Sequence, residues 1–213
     1  MKQIVLQMVA SLGATLRIFF LTLIFSLPLG FVVAAGKMSR HKVISIPVNI
    51  YIMIMRGTPL ILQLLFVYFA PFYLFGVSFS RFTACIVAFV LNYSAYFAEI
   101  YRGGLQSIDF GQHEACYVLG LGKVDEFFFV KLPQVIKTVM PSIGNEVVTL
   151  VKDTALAQTI GIAELFRSAQ NASARIFSVM PIFIAGLFYF VMNAIVSKTF
   201  DYMENHLWNY NKQ

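Results

Sequence analysis

The sequence predicts an all-α polytopic membrane protein, on the strength of its composition and the length of its apolar runs. Of its 213 residues, 59 % are hydrophobic and only 12 % are charged, with a mean hydropathy of +0.75. Soluble domains carry about a quarter charged residues. The long runs without a charge are Ile18–Gly36, Gly57–Ser80, Phe82–Ala98 and Ile176–Ser197. Because crossing the hydrocarbon takes roughly 20 apolar residues, runs of this kind predict membrane-spanning helices.

Five spans in a single domain of residues 1–213 account for this pattern. The first covers residues 15–36, and Arg17 within the apolar stretch argues against a cleaved signal peptide. RGTP at residues 56–59 then interrupts the chain, because the residue before a proline avoids the helical region and glycine weakens a helix. The remaining spans are predicted at 60–76, 82–106, 127–151 and 176–200, with a short amphiphilic helix at 41–55 and a polar connection at 152–175.

The fourth predicted span carries more charge than the others. Lys131, Lys137 and Glu146 lie within or beside it. A charge at the centre of a bilayer costs about 2.5–3.5 kcal/mol on insertion scales. This cost exceeds the favourable insertion free energy of several apolar residues. We therefore expect this helix to face other helices or water rather than lipid.

The distribution of basic residues predicts how the chain is oriented in the membrane. The net charge is +6, and basic residues concentrate in two of the segments between spans, namely Lys37, Arg40 and Lys42 in one and Arg102, Lys123 and Lys131 in the other. Cytoplasmic loops of membrane proteins carry an excess of Lys and Arg. Both segments are thus predicted to be cytoplasmic, which places the N-terminus outside and the C-terminus in the cytoplasm.

A short charged helix is predicted between spans three and four, at about residues 109–120. Asp109 and Gln112 have the spacing of a capping box, so the Asp109 side chain can accept a free amide at the helix start. Gly120 is suited to the left-handed residue that ends a helix. A new helix begins near Lys123, and Leu132–Pro133 is expected to kink it as it enters the membrane.

Several motifs in this chain resemble those of a known family. Glu114-Ala115-Cys116, followed after three residues by Gly120 and after nine more by Val130-x-Leu132-Pro133, resembles the EAA loop of ABC-importer permeases, with Cys116 in place of alanine and Val130 in place of isoleucine. The chain is also similar to the polar amino-acid permease family, the HisMQ type of binding-protein-dependent transport component. That similarity is carried by GATLRI at 13–18, RGTPLILQL at 56–64, YFAEIYRGGLQSI at 96–108 and KDTALAQTIGIAELF at 152–166.

The resemblance implies the permease core of a type I ABC importer, with the charged helix as its coupling helix. The residues it assigns to coupling with the ATPase are Glu114, Ala115, Cys116, Gly120, Leu132 and Pro133. The sequence contains no G-x4-G-K-[ST] phosphate loop, so we expect ATP and Mg²⁺ to bind a separate ATPase and this chain to hold no cofactor, metal or catalytic residue.

The resemblance also implies where the chain works and with what. The implied partners are ABC ATPase subunits, a second permease copy or paralogue, an extracytoplasmic solute-binding protein, a polar amino acid and the lipid bilayer, without nucleic acid. The implied location is the inner membrane of a bacterial cell.

A substrate pathway is predicted from polar residues at helical spacing. Ser142, Asn145, Thr149 and Lys152 form one stripe of the fourth span, flanked by Glu146 and Asp153 and closed by Thr154, and Asn92, Tyr96 and Glu99 form another on the third. Ionisable groups at membrane depth are usually functional, and a zwitterionic amino acid needs both signs of charge. The alternatives are hydrogen bonds between helices, a pair of Glu99 with Arg102, and a pair of Lys152 with Asp153.

An ion-gradient-driven secondary amino-acid transporter is the competing function. Such proteins use coupling carboxylates and are commonly built from repeated sets of spans, whereas this sequence shows no internal repeat. An intramembrane enzyme is disfavoured because the three histidines, at 41, 113 and 206, are scattered along the chain.

Overall fold

The computed structural model describes residues 2–209, and within this range the chain consists of helices joined by short turns and loops, without a strand. The helices are α1 (Lys2–Lys37), α2 (Lys42–Gly57), α3 (Leu60–Phe75), α4 (Arg81–Gln106), α5 (Phe110–Val118), α6 (Lys123–Asp125), α7 (Leu132–Asp153), α8 (Leu165–Ile176) and α9 (Met180–Asn209). A π-helical turn, Glu126–Lys131, joins α6 to α7, and a 3-10 turn, Thr154–Ile160, follows α7. The all-α prediction is confirmed.

Three of these helices, α1, α4 and α9, are individually long and apolar enough to cross a membrane. The pair α2 and α3 also qualifies, but it is bent by 113° at the break between them. Helix α7 is long enough, with 22 residues, but does not qualify by composition, because it contains Lys137, Glu146, Lys152 and Asp153. The five-span count therefore stays a prediction, and its fourth member depends on packing rather than on hydropathy.

Helix boundaries differ from those expected from the sequence at the first helix and after α7. The first helix begins at Lys2 rather than near residue 15, because the polar residues before Arg17 do not interrupt it. The segment 152–175, predicted to be a polar connection, is instead wound into the 3-10 turn and α8. The last helix consequently starts at Met180 and not at residue 176, after the left-handed Phe177 has ended α8.

A buried carboxylate explains why the segment after α7 folds into helix. Glu164 is fully buried, and it accepts hydrogen bonds from the backbone amides of Phe166 (2.7 Å) and Arg167 (2.6 Å) at the start of α8. The hydroxyl of Tyr189 in α9 donates to the same side chain (3.0 Å). Because side chains at a helix start satisfy amides that have no partner within the helix, Glu164 fixes where α8 begins and ties it to α9.

Helix α4 lies at the centre of the bundle and packs against α1, α2, α3 and α7. Its contact with α1 is close because the buried residues Thr22, Ser26, Gly30 and Ala34 repeat every four positions along α1. At Gly30, a Cβ atom would lie 2.8 Å from the Cβ of Phe97 and 3.2 Å from the carbonyl oxygen of Ser94. Small residues at this spacing let two helix backbones approach each other within a membrane.

Glycines also set the distance between α7 and its neighbours. A Cβ at Gly104 of α4 would clash with a methyl group of Val139. A Cβ at Gly144 of α7 would lie 3.1 Å from the ring of Phe200 in α9. Helix α7 is thus held between α4 and α9, away from full exposure to lipid.

The contact at Gly30 can be tested with a control in the same helix. We expect Gly30→Leu to lower the thermal unfolding temperature of the detergent-solubilised chain, because overpacking a close contact costs about 1–3 kcal/mol. Gly13→Leu is the matched control, since a Cβ there meets no atom within 4 Å. A Gly30→Leu variant as stable as Gly13→Leu would contradict close packing of α1 on α4.

Candidate functional site

A polar groove runs along α4 and α7 beside the break between α2 and α3. It comprises two adjoining cavities of about 390 Å³ each, which share Tyr96 and Glu146 in their walls. The first cavity is also lined by Arg56, Glu99, Ile100, Arg102, Gly103, Gly104, Thr138, Val139 and Ser142. The second is also lined by Thr58, Pro59, Leu60, Ile61, Asn92, Tyr93, Thr149, Asp153 and Leu156.

The break between α2 and α3 is held open by two amide side chains. The Nε2 of Gln63 donates to the carbonyl oxygen of Met55 (2.9 Å) and to the Oγ1 of Thr58 (2.8 Å). The Nδ2 of Asn92 in α4 donates to the Oε1 of Gln63 (2.9 Å) and to the carbonyl oxygen of Met55 (3.1 Å). These bonds satisfy backbone groups that the interrupted helix leaves without partners. They place Thr58 and Pro59 at the groove, and they give Asn92 a structural role.

Asp153 stands at the end of α7 and faces the second cavity. Its Oδ2 accepts a hydrogen bond from the hydroxyl of Tyr93 (2.7 Å), whose ring is almost fully buried in the core. Tyr93 is not among the pathway residues predicted from the sequence. Its position three residues before Tyr96, on a helix with a predicted polar stripe, was the available signal.

Glu99, in the wall of the first cavity, is surrounded by basic groups. It forms ion pairs with Arg102 (2.8 Å) and Lys37, and Arg56 lies 3.6 Å away. The guanidinium of Arg56 also lies 5.4 Å from the centre of the Tyr96 ring, within the range of a cation–π contact. The pair of Glu99 with Arg102 expected from the sequence is present, and Lys37 and Arg56 extend it to α1 and α2.

The groove-facing stripe of α7 differs from the predicted one. The walls of the two cavities contain Ser142, Glu146, Thr149 and Asp153. The predicted stripe shared Ser142 and Thr149 but placed Asn145 and Lys152 where Glu146 and Asp153 are found. Both stripes have helical spacing, so periodicity alone did not decide between them.

Three of the predicted pathway residues do not line the groove. Asn145 is exposed, and its carbonyl oxygen accepts a hydrogen bond from Thr149 (3.0 Å). Lys152 lines a separate, apolar cavity with Phe166 and Tyr189, on the side of α7 that faces α8 and α9. Thr154 is buried and donates to the carbonyl oxygen of Val151 (2.7 Å). Lys152 and Asp153 therefore do not present opposite charges to one cavity, because successive helical residues point about 100° apart.

The short helix α5 is the second candidate functional site. The Oδ1 of Asp109 accepts a hydrogen bond from the amide of Gly111 (2.6 Å), which confirms Asp109 as the N-cap. The reciprocal half of the capping box is absent, because the Oε1 of Gln112 accepts a hydrogen bond from Gln134 of α7 (3.1 Å). At the other end Gly120 has φ +71°, as predicted.

The end of α5 is a Schellman motif. The amide of Leu121 donates to the carbonyl oxygen of Cys116 (3.0 Å), and the amide of Gly120 donates to that of Tyr117 (3.1 Å). Glu114 and Ala115 are exposed on α5, whereas Cys116 is buried. Four further apolar side chains of this helix and its cap are exposed, namely Phe110, Tyr117, Val118 and Leu119. Exposed apolar surfaces of this kind are typical of sites that contact a protein or a membrane.

The entry into α7 is a wide turn rather than the expected proline kink. The turn lies at Glu126–Lys131, ahead of Leu132 and Pro133. The amide of Leu132 donates to the carbonyl oxygen of Phe127, five residues back. Since Pro133 has no amide and its ring crowds the preceding turn, widening the helix before it relieves the clash.

Comparison with known proteins places this fold in a family. A family model described as "Binding-protein-dependent transport system inner membrane component" matches residues 26–209. The putative glutamine transport system permease protein GlnP of Rickettsia felis is 37 % identical over 184 residues, which cover 86 % of this chain and 84 % of that protein. The arginine transport system permease protein ArtQ of Bacillus subtilis is 38 % identical over 187 residues, covering 87 % and 85 %.

Solved structures of ABC transporters contain chains with the same fold. The crystal structure of an amino acid ABC transporter with histidines contains a chain that is 35 % identical, with a TM-score of 0.89 over 97 % of this chain and 96 % of that one. A chain of the MetNI methionine ABC transporter, in an inward-facing conformation, shares the fold at a TM-score of 0.78 and 16 % identity, covering 97 % and 99 %. With a family match that spans most of its length, the protein belongs to the binding-protein-dependent transport system inner membrane components.

Proposed function

We propose that this chain is the permease subunit of an ATP-binding-cassette importer and that its polar groove is part of the path for a polar amino acid. The groove is the observation that supports this proposal best. Tyr96 and Glu146 lie in the walls of both of its cavities, along α4 and α7. Its carboxylates can bind an ammonium group, and Arg56 in the first cavity can bind a carboxylate. A transport-system permease component is not itself catalytic, and no covalent chemistry is assigned to this chain.

The pathway residues that this geometry supports are those of the predicted set whose side chains line the groove. They are Asn92, Tyr96, Glu99, Ser142, Thr149 and Asp153, with the addition of Arg56, Tyr93 and Glu146. Asn92 is hydrogen-bonded to Gln63 and Met55, and Glu99 is ion-paired with Lys37 and Arg102, so both shape the wall. We propose that the charged groups contacting the substrate are Glu146, Arg56 and Asp153, the last of which accepts a hydrogen bond from the neutral hydroxyl of Tyr93.

The energy source is proposed to be ATP, bound with Mg²⁺ on a separate ATPase subunit that docks on α5. Glu114 and Ala115 are exposed there, among the exposed side chains of Tyr117, Val118 and Leu119. Cys116 faces inward and supports the helix, and Gly120, with Leu132 and Pro133 beyond it, sets the connection to α7.

The proposed assembly places the chain in a bacterial inner membrane, with its N-terminus outside and its C-terminus in the cytoplasm. A second permease copy or paralogue completes the pathway, two ATPase subunits bind the α5 helices, and a solute-binding protein delivers the amino acid from outside. The open side of the groove and the largely exposed apolar surface of α9 are consistent with contacts to a second permease and to lipid.

Co-purification tests the assembly directly. We expect the tagged chain, extracted from its native host in mild detergent, to bring a P-loop ATPase with it in roughly equal amount, as identified by mass spectrometry. Uptake in proteoliposomes should then require internal ATP. Uptake that follows an ion gradient, without an associated ATPase in several detergents, would overturn the proposal.

Two glycines with left-handed backbones provide a matched test of the docking helix. Gly120→Leu and Gly76→Leu should strain the backbone alike, because both residues have φ near +70° and a Cβ at either meets no atom within 4 Å. Gly76 lies between α3 and α4, at the end of α4 opposite α5. We expect only Gly120→Leu to reduce uptake per ATP hydrolysed, measured in proteoliposomes. Equal losses in the two variants would mean that strain alone is responsible.

The role of Asp153 can be tested by removing its charge. We expect Asp153→Asn to reduce amino-acid uptake by roughly 10- to 100-fold, because losing a hydrogen bond to a charged group costs about 1.5–3 kcal/mol. Assembly and basal ATP hydrolysis should be retained. Asp201→Asn, the same change at an exposed position of α9, is the control. Unchanged uptake in Asp153→Asn would leave this carboxylate with a structural role only.

A further inference from the structure

Helix α5 is attached to the rest of the chain by a small set of polar contacts. Its packing partner is the wide turn Glu126–Lys131. The Nδ1 of His113 lies 2.8 Å from the Oε1 of Glu126, and Gln112 accepts a hydrogen bond from Gln134. The covalent link passes through Gly120, Leu121 and Gly122, all of them exposed, and the Schellman bonds tie Gly120 and Leu121 to α5 itself. The orientation of α5 relative to α7 therefore depends on these side chains as well as on the link.

Glu126 is the buried member of this set. Its side chain is 7 % exposed, whereas those of His113 and Lys131 are 47 % and 32 % exposed. Both basic groups contact the same carboxylate oxygen, Oε1. Glu126 is therefore the one group of the three that contacts both of the others, and it links α5 to the wide turn.

The Glu126 carboxylate is charged at neutral pH, which favours its contacts with Lys131 and His113. Hydrogen bonds from Lys131 and then from His113 hold the pKa of Glu126 below its ordinary value of 4.5. A carboxyl group with a lowered pKa in the folded state stabilises the fold above its ordinary pKa. That contribution is lost only as the pH falls through the lowered value. At neutral pH the carboxylate is charged and the contact is present.

The wide turn brings Lys131 next to Glu126. In an α-helix the neighbouring side chains are three or four residues apart, and residues five apart point in different directions. Lys131 follows Glu126 by five residues, and the π-helical turn shifts the hydrogen bonding to that same interval. The turn thus aligns Lys131 with Glu126 on the side that faces His113.

We propose that Glu126 is a positioning residue of the transport cycle, fixing α5 to the wide turn that leads into α7 so that a displacement of α5 moves the helix that lines the groove. The inference depends on the proposed function, in which α5 docks on an ATPase. The exposed face of α5 binds the partner, and Glu126, beneath it, transmits the movement. Loss of Glu126 should therefore leave docking intact and weaken coupling.

Uptake per ATP hydrolysed is the test of coupling. In the reconstituted complex, Glu126→Gln should retain the ATPase and continue to hydrolyse ATP, while uptake per ATP falls severalfold. Asp125→Asn is the matched control, an adjacent carboxylate that is exposed. Lys131→Met, which leaves the His113 contact in place, is the second variant. It should also lower uptake per ATP, but by a smaller factor than Glu126→Gln. An uptake-to-ATP ratio equal to that of Asp125→Asn in both variants would overturn the proposal.

Hydrogen exchange separates this inference from the proposed function. In the detergent-solubilised chain alone, the amides of Phe110–Val118 should exchange faster in Glu126→Gln than in Asp125→Asn or the unmodified chain. Exchange unchanged in Glu126→Gln would show that Glu126 does not hold α5, whatever the partner. If the unmodified chain bound no ATPase, the proposed function would fail, whereas faster exchange of α5 would still establish the contact.

Discussion

The groove depends on how closely α4 approaches the helices on either side of it. In a bilayer, apolar helices gain little from the hydrophobic effect when they associate, so van der Waals contact and hydrogen bonds hold them together. Gly30 brings α1 against α4, and Gly104 brings α4 against Val139 of α7. With α4 fixed at these two points, its remaining face presents Tyr93 and Tyr96 to the second cavity.

The charged residues of α7 then decide which way that helix faces. Exposing Glu146 or Asp153 to lipid would cost several kcal/mol, whereas turning them toward the groove keeps them near water and polar partners. The opposite side of the helix packs against α9 through Gly144. The carboxylates that make α7 a poor membrane span by hydropathy are therefore the same groups that give the groove its charge.

The sequence predicted the features that rest on local chemistry. The RGTP break, the Asp109 cap and the left-handed Gly120 all follow from backbone preferences of single residues, and each is present. Features that depend on tertiary contacts were missed. Glu164 was not expected as a buried cap, since its role requires Tyr189 from a distant helix. The polar stripe predicted on α7 differs from the observed one because two sets of polar residues had equally good helical spacing. Only the packing at Gly144 and Gly104 determines which set faces the groove.

Helix α7 connects the two candidate functional features of the molecule, the groove and the short helix α5. Its 22 residues span roughly 33 Å at 1.5 Å per residue, with Glu126 just before its first turn and Asp153 at its end. Closely packed interiors transmit displacement rather than absorb it, and α7 is packed on α4 near its first half and on α9 near its middle. Under the proposed coupling, a movement imposed at the wide turn would reach the groove as a shift of Glu146 and Asp153 relative to Tyr96 and Tyr93.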